Sequence, residues 1–129
     1  DIVVPFAQIP DLIPELQALS DTFGVIIPCY GHAGDGNLHV TIVKHPDTPM
    51  GEWPELEHAV LVELYRAVAA LGGTISGEHG IGVKRLKYMP LVMNETLIDL
   101  QRRIKAVFDP NHILNPGKIF EDTPQEAVG

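Results

Sequence analysis

The pattern of apolar positions in the first quarter of the chain predicts a short strand followed by an amphipathic helix. Residues 2–4 are β-branched and read as an edge strand that ends at Pro5. A 3.6-residue period then runs through residues 10–23 and predicts a helix whose stop is Gly24. Pro14 is tolerated best in a first helical turn, so we expect the regular helix to begin near it.

Two short apolar runs, residues 25–30 and 38–43, follow this helix and predict a β-hairpin. Both are too short for helices, and Asp35-Gly36 between them is a hairpin turn signal. We expect the first run to be a buried strand, with Pro28 where no ladder hydrogen bond is donated. An antiparallel pair would bring His32 and His39 to the same end of the sheet.

Two more helices are predicted in the remainder of the chain. Residues 52–71 carry a long apolar stripe and end at Gly72-Gly73, and residues 95–108 carry another behind Asn94 as N-cap. Residues 74–76 read as a short extended piece, and the basic segment 84–88 is expected to stop at Pro90.

These elements predict an α+β fold, with a small, mainly antiparallel sheet and helices packed on one face. We expect residues 1–120 to form one domain and residues 121–129 to form a flexible tail. A sheet this small leaves open edges, which would permit homo-oligomers.

Composition excludes several classes of partner. The chain of 129 residues has a net charge of −8, which argues against nucleic acid and against an anionic membrane surface. The single Cys29 cannot form an intrachain disulfide and suits a buried thiol in a reducing, cytoplasmic compartment. No apolar run approaches the ~20 residues that span a bilayer. The abrupt start without an initiator methionine predicts a piece of a longer protein.

Two glycine-rich polar segments stand out as candidate chemistry. The first, Gly31-His32-Ala33-Gly34-Asp35-Gly36-Asn37-Leu38-His39, is called here the GHAGDGNLH segment; the second, Ser76-Gly77-Glu78-His79-Gly80, is the SGEHG loop. His32, His39 and Glu78 together offer two imidazole nitrogens and a carboxylate oxygen. That set suits Zn²⁺, Mn²⁺ or Fe²⁺ with positions left open for substrate. We expect the two segments to close into one site.

Other polar residues have two interpretations each. His79 could be a further ligand or a general base near neutral pH, and a sharp turn at the flanking glycines would be needed for it to face the same site as Glu78. Asp35 could orient an imidazole, although a turn residue is the simpler interpretation. The remaining histidines and the basic segment read as structural or solvated positions: His45, His58, His112, Lys84, Arg85 and Lys87.

Site chemistry alone leaves the function open. A free-standing metal-dependent hydrolase and a non-catalytic metal-binding or dimerisation module would both use such a donor set. Each segment taken alone could also be an ordinary glycine-rich loop.

The motifs resemble the carboxy-terminal part of the FAD-linked oxidases of the vanillyl-alcohol oxidase superfamily. The similar branch holds the glycolate oxidase FAD subunit, D-lactate dehydrogenase and D-2-hydroxyglutarate dehydrogenase. Three motifs carry the resemblance in order along the chain: residues 31–39, residues 76–82, and Asp109-Pro110 with Asn115-Pro116-Gly117-Lys118.

The resemblance implies roles for individual residues. His32, His39 and Glu78 match the family's metal ligands, and His79 matches the base that takes the proton of the substrate's α-hydroxyl while a hydride passes to flavin. Asn115 matches a position on the cofactor side. The fold would be part of a ferredoxin-like cap domain.

The resemblance also implies partners and limits. The substrate would be a small 2-hydroxy acid such as glycolate or D-lactate, and FAD would be bound mainly by an N-terminal domain that precedes this region. Electron-acceptor subunits could hold the parent enzyme at a membrane. We expect the fragment alone neither to bind FAD tightly nor to turn over.

Overall fold

A computed structural model of the chain describes residues 1–120. Short 3-10 turns precede the first and third helices, at Phe6–Gln8 and Leu86–Tyr88. The strands and α-helices in chain order are β1 (Ile2–Val3), α1 (Ile9–Phe23), β2 (Cys29–His32), β3 (Asn37–Val40), α2 (Trp53–Ala70), α3 (Met89–Val92) and α4 (Glu95–Phe108). The predicted α+β class with a small antiparallel sheet is confirmed.

The sheet has the order β1-β3-β2, and both pairings are antiparallel. β1 is therefore an edge strand, as predicted. Its Val3 also pairs with Thr74 through two backbone hydrogen bonds of 2.9 and 2.8 Å, so the extended piece at 74–76 lies along the outer side of β1. This pairing carries the chain directly into the SGEHG loop.

One face of the sheet and the helices α1 and α2 enclose the core. Ile2 on β1 lies opposite Leu38 on β3, and the two side chains are 1% and 5% exposed. α1 contributes Leu12 and Leu16, and it contacts α2. The residues of α2 that complete this core are Val60, Leu64, Tyr65 and Val68.

The prediction that α1 begins near Pro14 is wrong. The helix begins at Ile9, with Pro10 in its first turn, and Pro14 lies inside it. An internal proline removes one ladder hydrogen bond, but starting the helix earlier buries Leu12 completely. Gly24 ends the helix in a left-handed conformation (φ +61°), as predicted.

The prediction of a buried strand over residues 25–30 is also wrong in extent and burial. The regular strand is β2, which begins at Cys29, and Ile26 makes only an isolated bridge to Val43. Tyr30 is 64% exposed, because it lies on the face of the sheet turned away from the buried Ile2 and Leu38. Cys29 is half-buried, and burial raises the pKa of its thiol. The antiparallel hairpin itself is confirmed.

The segment after residue 80 contains a further correction. Pro90 does not stop the basic segment, because it lies in the first turn of α3, where its missing N–H costs nothing. α4 follows the prediction closely: Asn94 is its N-cap, and the Asn94 side chain accepts a hydrogen bond of 2.9 Å from the Leu97 N–H.

The described chain divides into two compact units, Asp1–Gly80 and a second unit that begins at Ile81. The predicted tail, residues 121–129, lies outside the described residues. Among residues 1–120, no helix combines the length and apolar character needed to span a lipid bilayer.

Candidate metal centre

The strand register places both histidines of the GHAGDGNLH segment on one face of the sheet. His32 on β2 lies opposite Asn37 on β3, and Tyr30 lies opposite His39. Residues paired across antiparallel strands share a face, and so do residues two apart on one strand. His32, His39 and Tyr30 are therefore on the face turned away from Ile2 and Leu38. The rings of His32 and His39 are 5.6 Å apart, which confirms that they meet at one end of the hairpin.

The SGEHG loop crosses this same face. A Cβ atom on Gly77 would lie 2.6 Å from Asn37 Oδ1 and 2.7 Å from Val3 Cγ2, so only glycine allows the loop to lie this close to the sheet. Both neighbours are residues of the histidine-bearing face. The loop is therefore held against the strand that carries His39.

Glu78 and His39 are in direct contact. Glu78 Oε1 lies 3.2 Å from His39 Nε2, and the side chains are 46% and 17% exposed. Ligand atoms of His32, His39 and Glu78 all lie within 4.8 Å of one another. Two ligands of a tetrahedral ion, each about 2.1 Å from it, are about 3.4 Å apart, so the His39–Glu78 pair fits a shared ion. The structure thus brings the three predicted ligands together, and their binding of an ion stays a prediction.

His79 faces the same cluster as Glu78, its neighbour in sequence. Its ring stacks on that of His39, with centroids 5.1 Å apart and planes 10° from parallel. His79 Nε2 lies 3.4 Å from Glu78 Oε1, and the side chain is 56% exposed. A partly exposed imidazole beside the ligand set has the position that a general base requires. Its role as the base stays a prediction.

A buried carboxylate lies beneath the SGEHG loop. The side chain of Asp1 is 0% exposed, and its Oδ2 lies 3.9 Å from His79 Nδ1. Asp1 also forms a second group with His39 and His79 whose ligand atoms lie within 4.8 Å of one another. Two overlapping donor sets therefore share His39.

Asp35 has the simpler of its two predicted roles. Its Oδ1 accepts a hydrogen bond of 3.0 Å from the Asn37 N–H within the hairpin turn. The turn is closed further by the Asp35 N–H, which donates to the His32 carbonyl at 3.2 Å. Asp35 thus stabilises the loop that positions His32.

Asn115 belongs to the second unit. It has a positive φ of +48°, and its carbonyl accepts a hydrogen bond of 3.3 Å from the Lys118 N–H. Together with Lys118, Asn115 lines a mainly apolar cavity of about 470 Å³ beside Phe108 and Leu114. The predicted role of Asn115 toward a cofactor stays a prediction.

Sequence reasoning missed two residues around the cluster. Tyr30, whose exposed ring lies 5.4 Å from that of His39, could have been found from the two-residue period that links it to His32. Asp1 carried no local signal, because its partners lie 75 to 78 positions further along the chain.

The family described as "FAD linked oxidases, C-terminal domain" matches residues 1–119. The chain is 35% identical to the glycolate oxidase subunit GlcD of Bacillus subtilis over 99% of its own length, and 40% identical to a D-lactate dehydrogenase of Archaeoglobus fulgidus over 92%. It is 35% identical to a D-2-hydroxyglutarate dehydrogenase of Stutzerimonas stutzeri over 93%. The chain spans 27%, 26% and 26% of these relatives.

Proposed function

Since the chain belongs to the family of FAD-linked oxidase C-terminal domains, we propose that it is the substrate- and metal-binding portion of a flavin-dependent 2-hydroxy-acid oxidoreductase. The proposed substrates are of the glycolate or D-lactate type, the chemistry named in the relatives. The observation that carries the proposal is the approach of His32, His39 and Glu78 from two distant segments. Family membership favours this function over the hydrolase and over the non-catalytic module.

The donor set fits a divalent ion. His32, His39 and Glu78 supply two neutral nitrogens and an anionic oxygen, which suits Zn²⁺, Mn²⁺ or Fe²⁺. An ion held there would act as a Lewis acid toward the hydroxyl and carboxylate of a 2-hydroxy acid. The side chains of Glu78 and His79 are about half exposed, so a small substrate can reach the cluster from solvent.

His79 is the proposed base. Oxidation of a 2-hydroxy acid to a 2-oxo acid removes a proton from the hydroxyl oxygen and a hydride from the α-carbon. His79 would take the proton on an imidazole nitrogen, and its stacking on His39 fixes where the ring lies. FAD, when bound, supplies the acceptor for the hydride.

FAD is proposed to be bound mainly by an N-terminal domain of a longer protein, and the electron acceptor is proposed to be a partner subunit. The relatives are about four times as long as this chain, since it spans 25–27% of the three bacterial proteins that match over 95% or more of it. Asn115 is proposed to line the flavin side, at the apolar cavity of the second unit, whose aromatic walls suit a flat ring. We expect the isolated chain to bind no FAD tightly and to show no turnover.

Metal titration of the purified chain tests this proposal. We expect wild type to bind one Zn²⁺ or Mn²⁺, and His39→Ala to lose affinity by about a hundredfold or more, because His39 belongs to both donor groups. His45→Ala is the matched control, since the contacts described for the His45 side chain are with Asp47 of its own loop. Equal metal content in wild type and His39→Ala would refute the assignment of His39 as a metal ligand. Strong flavin absorbance in the isolated chain would contradict the proposal that FAD is bound mainly outside it.

A further inference from the structure

We propose that Asp1 is a positioning residue for the metal centre: its buried carboxylate holds the SGEHG loop in the conformation that turns both Glu78 and His79 toward His39. The proposal deepens the function proposed above and rests on it for the role of Glu78 as a ligand. It assigns Asp1 no contact with the ion itself.

Burial of the Asp1 carboxylate requires compensating partners. The Asp1 side chain is 0% exposed, and a charged carboxylate without water must be compensated by hydrogen bonds. Four donors of the SGEHG loop form hydrogen bonds with this carboxylate. Ser76 Oγ donates at 2.8 Å, the Gly77 N–H is shared between both oxygens at 3.2 Å, and the N–H groups of Glu78 and His79 donate at 3.3 and 2.9 Å.

The same hydrogen bonds distinguish the two overlapping donor groups, one with Asp1 and one with Glu78. A carboxylate has about four lone-pair positions, and four donors of the loop already converge on Asp1. An ion could bind Asp1 only by displacing one of these hydrogen bonds inside a closed environment. Glu78 is about half exposed, and its carboxylate contacts the imidazoles of His39 and His79, which could themselves face an ion. The group with Glu78 is therefore the ion site, and Asp1 acts through the loop.

The hydrogen bonds to the Asp1 carboxylate also determine the directions in which the Glu78 and His79 side chains point. On an extended backbone, neighbours such as Glu78 and His79 would point to opposite sides. Consecutive N–H groups that converge on a single anion require a curled backbone instead. In that curl, Glu78 reaches His39 Nε2 at 3.2 Å while His79 stacks on the same ring at 5.1 Å. Gly77 permits the curl to lie against Asn37.

The test compares Asp1→Asn with wild type in the full 129-residue chain, expressed behind an initiator methionine. Asparagine keeps the size of the side chain but replaces one accepting oxygen with an NH₂ group that faces donors. We expect Zn²⁺ affinity, measured by competition with a chelating dye, to fall about ten- to a hundredfold. We also expect the amides of Gly77, Glu78 and His79 to exchange faster with solvent.

Asp109→Asn is the matched control. Asp109 is also a buried carboxylate that accepts backbone hydrogen bonds, from Ile113 and Leu114, and none of its partners is a proposed ligand. Its substitution should leave Zn²⁺ affinity within about twofold of wild type. An equal loss in both variants would mean that the effect is general destabilisation, and the proposal would fall.

A second variant tests the role of Asp1 if the first variant is unstable. If Asp1→Asn does not fold, Ser76→Ala removes one donor and should weaken Zn²⁺ binding by about fivefold. Unchanged affinity in Ser76→Ala would count against the proposal.

If wild type binds no ion, the proposed function fails separately. Loss of the ring-current shifts between His39 and His79 in Asp1→Asn would still support Asp1 as the positioning residue, and their persistence would refute it. Unchanged Zn²⁺ affinity in a folded Asp1→Asn would also refute it.

Discussion

The helices α2 and α4 both carry an apolar stripe, but the two stripes differ in burial. Along α2, which packs against α1, Val60, Leu64 and Val68 are at most 1% exposed. Along α4, Ile104 and Val107 are 53% and 77% exposed, and none of its residues is buried. Apolar periodicity therefore identifies the face of a helix that needs a partner, and it does not tell whether the chain supplies that partner.

The difference extends to what stabilises each helix. α2 has no side-chain hydrogen bond at its N-cap, Glu52, and depends on apolar burial. α4 has the Asn94 cap and a basic residue, Lys105, in its last turn, and α2 has neither feature. Local polar interactions thus do for α4 part of what packing does for α2.

Truncation of the buried stripe should give the largest effect. Leu64→Ala removes a side chain that is 1% exposed and should lower the free energy of unfolding by about 2–5 kcal/mol. Ile104→Ala, the matched change on α4, should cost less than about 1 kcal/mol. Urea unfolding followed by fluorescence of Trp53, the single tryptophan, reports on the first unit, and circular dichroism reports on both. Similar losses in the two variants would contradict the contrast between the helices.

Substitution of the N-cap residues should give the reverse order, with the larger loss of stability in α4. Asn94→Ala removes the acceptor for the Leu97 N–H and should cost about 1 kcal/mol, seen as reduced helical ellipticity because α4 has no buried stripe to hold it. Glu52→Ala on α2 should change stability by no more than about 0.5 kcal/mol, since Glu52 makes no capping hydrogen bond. A larger loss from Glu52→Ala than from Asn94→Ala would overturn this ranking.

The parts that sequence predicted well are those fixed by local rules. Asp35-Gly36 and a two-residue period predicted the hairpin and the meeting of His32 with His39. Gly24 and Asn94 were identified as helix ends because capping needs only neighbouring residues. The expected approach of Glu78 also proved right, although the residues between it and His39 gave no physical reason for it.

The failures came from forces that act over long separations. A proline rule applied alone placed the start of α1 at Pro14, whereas burial of Leu12 outweighs one lost hydrogen bond. Pro90 is the exception, because the error there was local: a proline begins a helix as readily as it ends one. Asp1 could not be found because its hydrogen-bond partners lie 75 to 78 positions away in sequence.

Acid should loosen the turn after α4 while leaving the core of the first unit intact. The hydrogen bond from Lys105 is the main reason that the pKa of Asp109 lies below its ordinary value, with the Ile113 and Leu114 N–H groups adding to it. A carboxyl whose pKa is lowered by folding stabilises the folded state above its unfolded pKa of about 3.9, and this contribution is lost as pH falls through the lower, folded value.

The measurement for this prediction is the pH dependence of the Ile113 and Leu114 amide resonances. They should stay constant down to about pH 4 and shift only below it, and Asp109→Asn should abolish that acid transition. Trp53 fluorescence should not follow the same curve. Amide shifts centred well above pH 4 would show that another group controls this turn.

The smallest effect is expected at Val107, a highly exposed apolar position of α4. Val107 is 77% exposed, so Val107→Lys should change the free energy of unfolding by no more than about 0.5 kcal/mol, because little buried surface is lost. Val68→Lys, at a position that is 0% exposed on α2, is the contrasting change and should prevent folding of the first unit. Sedimentation at several concentrations sharpens the test. If Val107→Lys lowers stability only at high protein concentration, then a second copy of the chain covers the apolar face of α4 in solution. In that case the burial of the α2 and α4 stripes differs less than the exposure in a single chain indicates.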